Sequence, residues 1–160
     1  MLFHHLPDSR GVIGLGALRS CRAEPALMQL FEAEHSPDSG VRIHVAKALW
    51  QIRPDPRWLK AVIDVVASAK EPVWRQTAAE ALHDVYDPAA VRALENALDD
   101  PAELVRHHAA RGLLALHGLS DESSDLQHMV YRIMSNDVER REGGKRDILA
   151  AVAERPISAL

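Results

Sequence analysis

Between Asp99 and Leu116 the chain reads DDPAELVRHHAARGLLAL, and Val105, Ala109, Ala110, Leu113 and Leu116 recur at helical spacing. These positions give an amphipathic helix one apolar face. Its start is also marked. Asp100 can cap, Pro101 suits a first turn whose N–H has no helical partner, and Glu103 complements the positive end of the helix dipole. The same word occurs twice earlier, from Val41 to Leu49 and from Trp74 to Leu82. Arg42, Arg75 and Arg106 hold the same place in the three copies. A degenerate copy ends in Gly16-Ala17-Leu18, with Gly11 at the arginine position. The period is nearly constant, at roughly 30 residues, and a fixed period of this length predicts a repeat array.

A second word alternates with the first. Segments opening on Pro25, Pro56 and Pro88 each lead into an apolar stripe, and these prolines keep the same period as the arginines. Each unit is therefore a helix pair. The pattern predicts first-word helices over Arg10–Cys21, Val41–Ile52, Glu71–Tyr86 and Pro101–His117. It predicts second-word helices over Pro25–Glu34, Trp58–Ala67, Pro88–Leu98 and Leu126–Ser135. Ser36–Gly40 and Arg53–Pro56 read as breaks, Gly118 as a helix stop, and Ser120–Ser124 as a polar start. Met1–Leu6 reads as the end of a helix. Gly11, Gly14 and Gly16 weaken the first helix unless it packs closely on a neighbour. The charged stretch Asn136–Gly144 reads as an insertion, because Arg146 lies well over one period after Arg106. Lys145–Glu154 then supplies the last helix and Ile157–Leu160 a frayed tail. The chain reads as one domain over 1–160, with atypical end units near 1–22 and 136–160, or as a stretch of a longer array.

Composition adds little to this and contradicts none of it. Apolar residues make up 47% of the 160 positions and aromatics 4%, a balance suited to close helix packing through alanine and leucine. The net charge of −4 argues against a nucleic-acid surface. The single cysteine, Cys21, is expected to be a small buried residue near a helix end, in a reducing compartment. No signal peptide and no bilayer-spanning run is legible, so the expected setting is the cytoplasm.

The pattern Leu98-x-Asp100-Pro101-x-x-x-Val105-Arg106-x-x-Ala109-Ala110-x-x-Leu113 resembles the HEAT-repeat motif, in the short form found beside bilin lyases. The resemblance implies an all-α, right-handed α-solenoid, an α-α superhelix of about four to five stacked helix pairs. It also implies that the motif aspartate and arginine, here Asp100 and Arg106, bond across the turn and to neighbouring units. Arg42 and Arg75 have no aspartate at the matching place and are expected to use Asp38 and Glu71.

No catalytic or metal-binding constellation emerges. HEAT-like di-iron hydroxylases use repeated His-Glu pairs, and none of the nine histidines is followed by glutamate. His107 and His108 point about 100° apart on one helix, a poor pair for one metal. A HEAT-like DNA glycosylase needs a basic, tryptophan-lined face. Trp74 instead fills the valine slot of the core, Trp58 lies on an outer helix, and only Trp50 is suitably placed. Counting from the motif arginine at about 100° per residue, positions +1, +5 and +8 face away from the core. They are Ile43, Lys47 and Trp50; then Gln76, Glu80 and His83; then His107, Arg111 and Leu114. The resemblance implies that the second helices of the pairs line the concave surface. The mixed strip, rich in residue types that dominate interfaces, predicts a non-catalytic protein-binding scaffold with no cofactor, no nucleic acid and no membrane. The alternatives are a bilin-lyase-like or chaperone-like accessory subunit, an immunity or regulatory protein that masks a cognate toxin or enzyme, and, last, the glycosylase. The partner and oligomeric state are not legible.

Overall fold

The computed structural model describes residues 9–36, 39–119 and 123–157. Among these there are nine helices and no strand. They are α1 (Ser9–Ala17), α2 (Glu24–Ala33), α3 (Gly40–Ile52), α4 (Pro56–Ser68), α5 (Pro72–Ala81), α6 (Pro88–Ala97), α7 (Glu103–Leu116), α8 (Ser124–Ile133) and α9 (Val138–Ala153). The fold is an all-α helical repeat. The expectations for Met1–Leu6 and Asp38, and those for Ser120–Glu122 and Ser158–Leu160, lie outside the described residues.

The chain forms two compact units, 1–65 and 66–160, which divide inside α4. In the first, α1 and α2 both pack against α3. Ser39 caps α3 by accepting from the Arg42 N–H. The α1 glycines are explained in part by close approach: a Cβ on Gly16 would stand 2.7 Å from the Ala48 Cα. Trp58 and Phe31 meet edge to face with centroids 5.1 Å apart, and the Arg42 guanidinium lies 3.7 Å above the Phe31 ring. Arg42 also donates to the carbonyls of Phe31 and Glu34 at the end of α2. Cys21 is exposed rather than buried, since α1 ends at Ala17 and the cysteine falls in the following turn.

In the second unit α5 and α6 pack on α7, α8 packs on α7 and α9, and α9 also meets α7. Leu94, Leu98, Val105, Leu113, Ile133 and Ile148 form a fully buried spine. α5 stops at Ala81, short of the expected Tyr86, because Leu82–Asp84 turn and Asp87 then caps α6. Trp74 is half-buried, not core. α7 closes in a Schellman motif. Leu119 N–H donates to the Leu114 carbonyl and Gly118 N–H to Ala115, with Gly118 at φ +67°.

The last unit corrects the sequence reading. There is no insertion over Asn136–Gly144: α9 begins at Val138, capped by Asp137, and runs through the glycine pair. Arg140, one period after Arg106, holds the motif arginine position, and Gly143-Gly144 replace Ala109-Ala110. Both glycines are buried. A Cβ on Gly144 would come within 3.0 Å of the Ile133 nitrogen and 3.1 Å of the Met129 carbonyl. The pair is a contact between the α8 and α9 backbones, not the end of an insertion.

The motif arginines are anchored differently from the expected ladder. Arg75 donates to the carbonyls of Ala69 and Lys70, six and five residues back, and also forms a two-pronged pair with the Asp100 carboxylate at 2.7 and 2.9 Å. Its carboxylate hydrogen bonds raise the Arg75 pKa, and Glu71 contributes only through its field. Asp100 therefore serves Arg75 with its side chain, and it offers Arg106 only its backbone carbonyl.

Candidate functional site

The two polar faces of α7 have different neighbours. One carries His108 and Gly112 against α5. A Cβ on Gly112 would lie 2.7 Å from the His83 ring, so the missing side chain is what admits the imidazole. His83 Nε2 donates to the His108 carbonyl at 2.8 Å; a carbonyl only accepts, so the proton sits on Nε2. The Gln76 amide nitrogen donates to His108 Nε2 at 3.3 Å. His108 Nδ1 is buried with no hydrogen-bond partner among the described residues. Burial lowers the His108 pKa, Glu80 opposes that shift through its charge, and Arg111 adds to it. The ring is a neutral tie between two helices.

The other face carries His107 and Arg111, four residues apart and hence on one side of α7. With Gln127, Val130, Tyr131 and Met134 of α8 and its C-terminal turn they line an open groove of about 280 Å³. Its floor is apolar. Tyr131 is 65% exposed at the rim, and the Arg140 guanidinium stands 5.6 Å from the centre of its ring.

The expected strip thus separates. His107 and Arg111 line the groove. Gln76 and His83 tie α5 to α7, and exposed Glu80 acts on His108 through its charge. Two members are corrected outright: Leu114 is 1% exposed and Ile43 2%, so neither faces solvent. The count from the motif arginine assumed one packed side, whereas α7 meets α5, α6, α8 and α9, and α3 is covered by both α1 and α2. Lys47 and Trp50, in the first unit, are half-buried. The outer helix was the omission. Val130 and Ile133 mark its buried stripe and Tyr131 falls off that stripe; a large aromatic at a solvent position was the available signal.

Among the described residues no group of three or more His, Cys, Asp or Glu side chains is arranged to hold a metal ion. No described helix is long and apolar enough to cross a membrane. A family model described as HEAT repeats matches residues 24–114. No curated protein and no solved structure matches the chain.

Proposed function

The chain belongs to the HEAT-repeat family, and from that premise we propose that it is a non-catalytic scaffold that binds a partner protein at the α7–α8 groove. The observation that carries the reading is Tyr131, held open beside Val130, Met134 and Arg111. Tyrosine, methionine and arginine are the types enriched in interface centres. A tyrosine offers a large contact area with only two side-chain torsions to immobilise. The groove's cradle is rigid, because α7 is packed on several sides and α8 is held against α9 through the Gly144 contact. The role suits the cytoplasm, whose reducing poise keeps the exposed Cys21 thiol free.

The test is affinity capture from a native lysate on the immobilised chain, with quantitative mass spectrometry, in parallel with a Tyr131→Ala, Arg111→Glu double variant. A protein retained by the wild type and depleted at least fivefold on the variant is the expected result. Equal retention on both would remove this groove as the binding face.

A further inference from the structure

Arg140 occupies the motif arginine position of the last unit, yet it does not do what Arg75 and Arg106 do. Arg75 and Arg106 each donate to the carbonyls six and five residues back. For Arg140 those carbonyls belong to Met134 and Ser135, and both accept from Arg106 Nη2, at 3.1 and 3.3 Å. The Arg140 guanidinium stands instead beside the Tyr131 ring. No carboxylate is bonded to it among the described residues. Asp137, on the same face, spends its carboxylate capping α9 through the Arg140 backbone N–H at 2.7 Å.

The chain carries 23 acidic against 19 basic residues, but among the described residues that line the groove there is no acid, and Arg111 is one of them. A second arginine stands at its exposed tyrosine. At about 280 Å³ the groove lies at or below the lower end of ligand pockets, roughly 300–1,000 Å³, so it suits one or two side chains rather than a whole small molecule.

We propose that the groove takes an acidic peptide segment of the partner, with one large apolar side chain on Val130 and Met134 and a flanking carboxylate on Arg140. This rests on the scaffold reading and names the chemistry of its partner. The apolar floor favours it over a nucleic acid, and a groove of about 280 Å³ holds a short segment rather than the face of a folded second copy.

The probe is a displayed library of random dodecapeptides, selected on the full chain at low salt. The expected winners pair one leucine, phenylalanine or methionine with two or more Asp or Glu within a helical turn. A synthetic winner should bind at least tenfold more weakly to Arg140→Glu and to Tyr131→Ala, but within about threefold of wild type to Arg140→Lys, and should weaken as salt rises. Circular dichroism confirms that each variant is folded. Basic or neutral winners, no enrichment above the Arg140→Glu control, or equal affinity for that control would overturn the proposal. So would tighter binding of a twelve-residue oligothymidylate than of any peptide, or light scattering that shows a dimer abolished by the same variants. A captured protein that still depends on Tyr131 and Arg111 but contacts the groove through a basic segment would leave the scaffold reading standing and end this one.

Discussion

Arg106 is the residue whose removal should cost the second unit most. Its side chain is 2% exposed, and burial, with Arg141 nearby, pulls its pKa below the usual value. It is held by five carbonyls. Nε donates to Ile133 at 2.7 Å, Nη1 to Asp100 and Pro101 at 2.8 and 2.9 Å, and Nη2 to Met134 and Ser135. Three of these acceptors are at the end of α8, where carbonyls left over by the helix carry partial negative charge. Arg106→Met keeps an apolar stem and strips every bond. The Ile133 carbonyl is then dry and unsatisfied, at about 1–3 kcal/mol. The other four are partly buried and can recruit water, so they add on the order of 1–2 kcal/mol together. Losing the buried cation gives back part of its desolvation cost. The net expectation is a loss of about 2–4 kcal/mol, which at roughly 2 kcal/mol per molar urea lowers the midpoint by about 1–2 M. Arg106→Lys, with three donors on a point charge, should lose about half as much. Hydrogen exchange followed by mass spectrometry locates the effect: α8 and α9 should lose protection while α3, in the other unit, keeps it. A loss below about 1 kcal/mol, or equal deprotection of α3, would refute the account of Arg106 as the clasp on α8.

Three further outcomes follow from local geometry. Gly144→Ala forces a methyl against the backbone of α8 and should cost about 1–3 kcal/mol in urea unfolding, as overpacked cores do; a neutral result would mean that α9 slides freely. Arg19 ends α1 in the left-handed region at φ 47°, with Ser20 N–H on the Leu15 carbonyl, so Arg19→Gly should raise stability by about 0.5–1 kcal/mol, read as a higher Tm; a lower Tm would show that the arginine does more than close the turn. The lowered pKa of His108 means that the unfolded chain takes up this proton first as pH falls. Stability from this group is therefore complete above the unfolded pKa of about 6.5 and is lost as pH drops through that value toward the lowered folded one. Urea midpoints between about pH 8 and 5 should fall less steeply for His108→Gln than for wild type, and parallel slopes would exclude the assignment.

Much of this fold was legible because the signals were redundant. Recurring arginines, recurring prolines and alternating apolar stripes all gave the same period, and Ser39, Asp87 and Gly118 do as caps what their residue types suggest. What was not legible depends on neighbours. Gly143-Gly144 by itself reads as the end of an insertion, and only the backbone of α8 beside it makes glycine the residue that fits. The Arg75–Asp100 pair joins residues far apart in the chain, and the sequence pointed to the nearer Glu71 instead. Burial of Leu114 depends on how many helices surround α7, which a single-helix projection does not contain.

The terminal unit shows how a repeat can turn a structural position into a binding one. Arg75 secures the turn before its own helix, and the next unit lends it the Asp100 carboxylate. Arg106 breaks this one-to-one arrangement by reaching forward to the α8 end as well as back. Arg106 thus supplies the arginine bonds to the turn before α9, and Arg140 lies at Tyr131, beside an exposed ring and an open groove. In this unit the motif arginine position therefore faces the groove, while the bonds to the turn before α9 come from Arg106 one unit earlier.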